Sequence, residues 1–343
     1  MTITAAVAIA GIIMLSLNAY VLLAGADFGG GVWDFLAAGP RRQAQRDLIS
    51  HALAPIWEAN HVWLILVIVL LFTCFPIAFS TFAIALHIPL TLMLFGIVLR
   101  GSAFVFRSYG GDDNATQQRW GRVFAIASIV TPVLLGMCVG AIATERIEPA
   151  MFSATASGSF VDRFVSPWLT TFGVGVGLLA LALFSFLAAV YLTVEAEQNT
   201  ELQNDFRARA LWAAGAVFVI AFGVLGLSMR EAPMVRKALM AGPWAMPLHI
   251  VTGIAAVTAI VALVTRRFRL ARVAAAAQVT FILWGWAVAQ YPYVLPPSLT
   301  IEASAAPARM LTLTLWGLAV GACVLFPSLY YLFRVFKRES GRE

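Results

Sequence analysis

The amino-acid sequence predicts an all-α polytopic membrane protein of about nine transmembrane helices, in a single integral membrane domain over residues 1–343. Its N-terminus is expected outside and its C-terminus in the cytoplasm. Three observations carry this reading. Of the 343 residues, 61% are hydrophobic and 12% charged, about half the charge of a soluble domain. Apolar runs of about 20 residues recur along the whole chain. Arg and Lys concentrate in alternate connections, as they do when one side of a bundle faces the cytoplasm.

The runs fall at about 3–24, 57–79, 81–106, 121–143, 168–194, 210–229, 246–265, 271–290 and 311–334. The first is read as a retained helix, because neither a basic leader nor a clear cleavage site accompanies it. The connection near Ser80 is almost nil, so the second and third helices are expected to form a tight antiparallel pair turning there. The longest connections, at about 144–167 and 291–310, are rich in Ser, Ala and Pro, and no large soluble domain fits in either. With the N-terminus outside, 17 of the 23 Lys and Arg residues fall in inside segments and 6 in outside ones. The net charge of +6 is therefore a matter of topology, and no nucleic-acid partner is expected. Cys74, Cys138 and Cys323 are scattered in apolar runs, which argues against disulfides and against a zinc site. Belt anchoring at the interfaces accounts for most of the Trp and Tyr residues.

The most informative stretch is His51 to Trp63. It sets Glu58, Asn60, His51, His61, Trp57 and Trp63 at the mouth of the second helix, where ionisable groups are costly. Glu58 lies 22 residues before Ser80 and Arg100 lies 20 after it. On helices joined at Ser80 they would share a depth to within about 3 Å. Asp27, expected to close the first helix, reaches the same layer. Asp27, Glu58 and Arg100 are thus expected to form one buried acid–base cluster, with His61 on the same helix face as Glu58 and adjacent to Trp57. Two readings of Glu58 stand: an interfacial residue that settles a helix end on an arginine, or a carboxylate that loads and unloads protons. Gly25, Gly29, Gly30 and Gly31 surround Asp27. Close helix packing is the default reading; the sharper one is close approach to a large cofactor in a partner chain.

His87 and His249 are single histidines towards the outer side. A hydrogen-bonded core role is favoured over haem ligation, and no metal site is expected. Glu195, Glu197, Glu201 and Asp205 are read as a solvated loop or helix end.

The run Ala-Pro-Ile-Trp-Glu-Ala-Asn-His-Val-Trp at 54–63 resembles the signature of subunit II of cytochrome bd-type quinol oxidases, cyanide-insensitive-like variants included. That family shows Pro-x-Trp-Asp/Glu-x-Asn-x-Val-Trp before its second helix. Gly25-Ala-Asp27-Phe-Gly29-Gly-Gly31 is similar to the family's glycine segment. Arg100, Phe104 and Arg107 match the basic end of its third helix. Tyr191-Leu192 with Arg207-Ala-Arg209, and the run from Gln290 to Ile301, match two further segments. The likeness covers essentially the whole chain. Two departures stand out: Ala24 replaces an acid of the family, and position 58 is Glu where Asp is common.

The resemblance implies a non-haem-ligating subunit of a respiratory quinol:oxygen oxidoreductase in the bacterial cytoplasmic (inner) membrane. Quinol and oxygen are substrates of the whole complex. The haems (b and d, or b alone) belong to subunit I, against which this chain would pack. A small single-helix subunit and membrane lipid are further implied partners, and some members hold a structural quinone within subunit II. In some members the acid matching Glu58 lies on a cytoplasmic proton route. On that basis Glu58 is the chosen proton-route residue. Trp57, Asn60, His61 and Trp63 would shape the route, and Asp27 is the second candidate. Arg100 would tune Glu58 or meet a haem propionate across the interface. The rival readings are a purely structural assembly subunit, a haem-carrying subunit and a secondary transporter. The last would show an inverted repeat with interrupted helices, which the sequence lacks in clear form.

Overall fold

The computed structural model describes residues 4–53, 57–109, 114–152 and 158–339. Helix α1 runs Ala5–Phe35. It is capped by Thr4, whose side chain accepts from the Val7 N–H. It continues past the apolar run that stops at about residue 24 and past Asp27, which was expected to close it. Glycine weakens a helix in isolation, but here the glycines are the contact. A Cβ on Gly29 would stand 2.0 Å from the Phe184 carbonyl oxygen, and one on Gly31 would stand 2.1 Å from Ser128 Oγ. Close helix packing, the expected reading of these glycines, is their use. Asp27 therefore sits two turns inside α1 and does not close it.

Helix α2, Arg42–Leu53, follows. Next come α3, Trp57–Cys74, and α4, Pro76–Ala85. The expected turn at Ser80 is not there: Ser80 lies inside α4. The break is at Phe75 (φ −135°, ψ 59°), and α3 and α4 meet at 119°. Pro76 explains it. A proline has no N–H to donate and drives the residue before it out of the helical region, yet it suits the first position of a new helix. Helix α5, His87–Tyr109, starts after a second break at Leu86.

The chain continues through α6 (Asn114–Ala143), a 3-10 turn (Pro149–Phe152), α7 (Phe160–Phe164), α8 (Thr171–Glu195), α9 (Thr200–Glu231), α10 (Pro233–Ala241), α11 (Ala245–Val264) and α12 (Phe268–Gln290). A two-stranded antiparallel hairpin, β1 (Tyr293–Leu295) with β2 (Leu299–Thr300), precedes α13 (Ala308–Glu339). Among the described residues eight helices are long and apolar enough to cross a membrane, and the bent α3–α4 pair makes a ninth if it is one span. This is a multi-pass membrane protein.

Helix α8 is the axis of the bundle. Phe186, Leu187, Ala189 and Val190 are fully buried, and α1, α6, α9 and α12 pack around it. Thr170 caps its start through the Gly173 N–H at 2.8 Å. The two ends of the bundle differ. One carries the hairpin and α4, tied by the Ala306 N–H to the Cys74 carbonyl at 2.8 Å. The other is rich in arginine. There Asp205 is not merely a solvated acid: it accepts from Arg41 Nη2 at 2.6 Å, Arg41 Nε at 2.9 Å and Gln45 Nε2 at 2.8 Å, which holds the start of α2 to α9. Arg209 lies over the Trp33 ring, and Arg207 Nε donates to the Leu263 carbonyl at the end of α11.

Candidate functional site

Four helices meet around one ion pair. Helix α1 supplies Asp27, α3 supplies Asn60, α5 supplies Arg100 and α6 supplies Ser128. Arg100 Nη1 donates to Asp27 Oδ2 at 2.7 Å and Nη2 to Asp27 Oδ1 at 2.6 Å. The same Nη2 reaches the Asp27 carbonyl at 2.9 Å, and Nε donates to Ser128 Oγ at 3.0 Å. Ser128 passes its own hydrogen to the Phe124 carbonyl at 2.7 Å. Asn60 Nδ2 donates a third side-chain bond to the carboxylate at 2.7 Å. The guanidinium lies over two rings, 4.8 Å from the centroid of Phe28 and 4.7 Å from that of Phe124. Its side chain is 5% exposed and that of Asp27 0%.

The local sequence explains the assembly. Gly31 leaves room for Ser128, and Gly96, one turn before Arg100, leaves room for Thr131. Helices α5 and α6 can then approach closely enough for Nε to reach Ser128. A two-point Arg–carboxylate pair with two aromatic rings against the guanidinium keeps two charges tolerable in an apolar bundle. The pair carries no net charge into the membrane interior.

The other expected site residues are placed as follows. Trp57 and Glu58 begin α3, but their side chains lie outside the described residues. Asn60 is in the cluster. His61 is half-buried and lines a groove of about 420 Å³ with Phe28, Ile97, Arg100, Ser102 and Phe106. Trp63 packs on the cluster of Tyr20, Ala24, Phe28 and Phe184. Arg100, expected to tune Glu58 or to meet a haem propionate, makes four hydrogen bonds inside the chain. Sequence reasoning missed Ser128, Phe28 and Phe124. Ser128, one of two hydroxyls with Thr131 inside an apolar run, was the available signal.

The remaining histidines have local partners. His87 begins α5, with Nδ1 at 2.9 Å from the Ile84 carbonyl and its ring against Phe164. His249 Nδ1 lies 2.6 Å from the Ala245 carbonyl. Among the described residues no three His, Cys, Asp or Glu side chains gather as a metal ion would require. Outside the spans, Asp162 of α7 has its carboxyl held below the ordinary range, by the Ser159 hydroxyl first and the Ser159 N–H second.

Fold and site together define a polytopic membrane protein organised on a buried carboxylate–guanidinium pair. A sequence profile of the cytochrome bd terminal oxidase subunit II family matches residues 5–336, and the chain belongs to that family. The "Putative cytochrome bd menaquinol oxidase subunit II" of Bacillus subtilis strain 168 is 23% identical over 330 residues, 94% of this chain and 92% of that protein. The cytochrome bd ubiquinol oxidase subunit 2 of the same strain is 26% identical over 247 residues, 69% and 67% of the two chains. Among solved structures, a chain of the bd oxidase from Geobacillus thermodenitrificans superposes with a TM-score of 0.79 at 22% identity. The match covers 97% of this chain and 98% of that one, and speaks for the fold.

Proposed function

We propose that this chain is the non-haem-ligating subunit of a respiratory quinol:oxygen oxidoreductase in the bacterial cytoplasmic membrane. It packs against the haem-bearing subunit I, with its arginine-rich end in the cytoplasm. Membership of the subunit II family over residues 5–336 is the observation that carries this reading. The names of its relatives, menaquinol and ubiquinol oxidase subunits, supply the reaction class.

Within the complex we assign Glu58 to proton uptake. Oxygen reduction consumes protons. If quinol releases its protons outside while the oxygen site draws from the cytoplasm, charge separates across the membrane without a pump. Such a conduit needs a titratable group near the inner surface. Glu58 stands two residues before Asn60, which is bonded to the buried pair. Asp27 and Arg100 neutralise one another and act here as a fixed dipole beside the route. Trp57, His61 and Trp63 would bound it. Substituting Glu58→Gln and Glu58→Ala in the assembled complex tests this through quinol-dependent oxygen uptake and haem content. Slowed uptake at full haem content is expected. Normal uptake in both variants refutes the proton role and leaves a structural subunit.

A further inference from the structure

Three buried oxygens around the ion pair have no hydrogen-bond partner among the described residues: Asn60 Oδ1, the Tyr20 hydroxyl and Thr131 Oγ1. Their residues are 0%, 0% and 1% exposed. They come from α3, α1 and α6, and they share one region. Asn60 bonds Asp27 through its nitrogen, which keeps its oxygen beside the pair. Thr131 Oγ1 faces Gly96, one turn from Arg100 along α5 and one turn from Ser128 along α6. Tyr20 lies two turns before Asp27 on α1, in a cluster with Ala24, Phe28 and Phe184 against which Trp63, Leu64, Ile97 and Leu135 pack, and within electrostatic reach of Asp27 and Arg100. The groove meets the same layer at Phe28, Ile97 and Arg100.

Buried polar groups in native proteins are nearly all bonded, and where protein supplies no partner an ordered water usually does. Surrounding hydrocarbon makes an orphan costlier still. One orphan could be an isolated defect, but three on neighbouring helices around one pair indicate a ligand. The ligand must both donate and accept and must be small enough for a packed core. Water meets each requirement.

We propose that ordered water lies between α1, α3, α5 and α6, held by Asn60 Oδ1, the Tyr20 hydroxyl and Thr131 Oγ1. Tyr20 is a positioning residue that carries the hydrogen-bond chain from the Asp27 layer deeper into the bundle. This second part rests on the proton-route reading for Glu58.

A high-resolution density map of the assembled complex tests the water directly. Density within hydrogen-bond distance of both Asn60 Oδ1 and the Tyr20 hydroxyl is expected. The three oxygens closing on protein groups, with no density between them, overturns the proposal. Tyr20→Phe tests the positioning role, since it keeps the ring. At full haem content, oxygen uptake should fall about fivefold, the worth of one neutral hydrogen bond. KM for quinol should stay unchanged, and the solvent isotope effect should change. Unaltered uptake and isotope effect in Tyr20→Phe, beside a slow Glu58→Gln, reject the role of Tyr20 and keep the proton route. A normal Glu58→Gln rejects the route, and the map then decides the water alone.

Discussion

Breaking the Asp27–Arg100 pair from its two sides should have unequal consequences. Removing one partner of a buried pair costs roughly 3–5 kcal/mol, because a charge is left behind. Which charge is left decides the position in that range. In Asp27→Asn the shape and the Asn60 contact survive, but Arg100 remains, 5% exposed, with a guanidinium that cannot give up its proton in a protein. Its two aromatic faces and Ser128 offset only part of this, so a cost of about 5 kcal/mol is expected. In Arg100→Met the volume is nearly kept, and the stranded carboxyl can take up a proton and become neutral. The cost should lie near 3 kcal/mol. The double variant removes both charges and should cost much less than the sum of the singles. Unfolding the assembled complex in mixed micelles by SDS titration measures all three. Arg100→Met proving at least as costly as Asp27→Asn, or the two effects simply adding, would refute the reasoning.

Other outcomes follow from the same structure. Gly29→Ala places a methyl 2.0 Å from the Phe184 carbonyl oxygen, whereas a methyl on Gly11 meets nothing within 4 Å. Gly29→Ala should cost about 1–3 kcal/mol or more through overpacking and reduce the yield of monodisperse complex on size exclusion, with Gly11→Ala unchanged. Asp205→Ala removes the acceptor of Arg41 and Gln45 and should speed hydrogen–deuterium exchange in α2 while leaving α8 protected. Asp162 has a lowered carboxyl pKa from its bonds to Ser159. A depressed folded-state value stabilises above the unfolded pKa and is lost as pH falls through the folded one, so the 159–165 turn should loosen from about pH 4 downwards. Exchange in that segment, corrected for intrinsic rate, reports it. Ser159→Ala removes the largest cause of that depression and should leave a smaller pH-dependent loosening of the segment.

The spans were legible because an apolar run of about 20 residues has few other uses. The shared layer of Asp27 and Arg100 was legible by counting along helices, although the pivot was misplaced. Counting from Ser80 ignored Pro76, whose missing N–H sets the break at Phe75. The layer survived the error: Asn60 of α3 and Arg100 of α5 bond the same carboxylate. The extent of α1 was misread because intrinsic propensity treats four glycines as a helix end. Their use in close packing was read from the sequence, but only the surfaces of α8 and α6 show that the helix continues through them. Ser128 and the rings of Phe28 and Phe124 were not foreseeable for a related reason: which serine or phenylalanine of an apolar helix faces a buried cation depends on the rotation of that helix. Asp205 looked like any acid in a polar segment until α2 folded back onto α9.

The contact between Gly31 and Ser128 links two properties that mutagenesis would treat as separate. One hydroxyl fills the hollow left by a missing side chain on α1 and also holds Nε of Arg100. Residue 31 therefore sets the orientation of a guanidinium it never touches. Among descendants of this chain, positions 31 and 128 should not grow in size together. A larger residue at 31 should be inherited with a smaller one at 128, or with an arginine turned away from its serine.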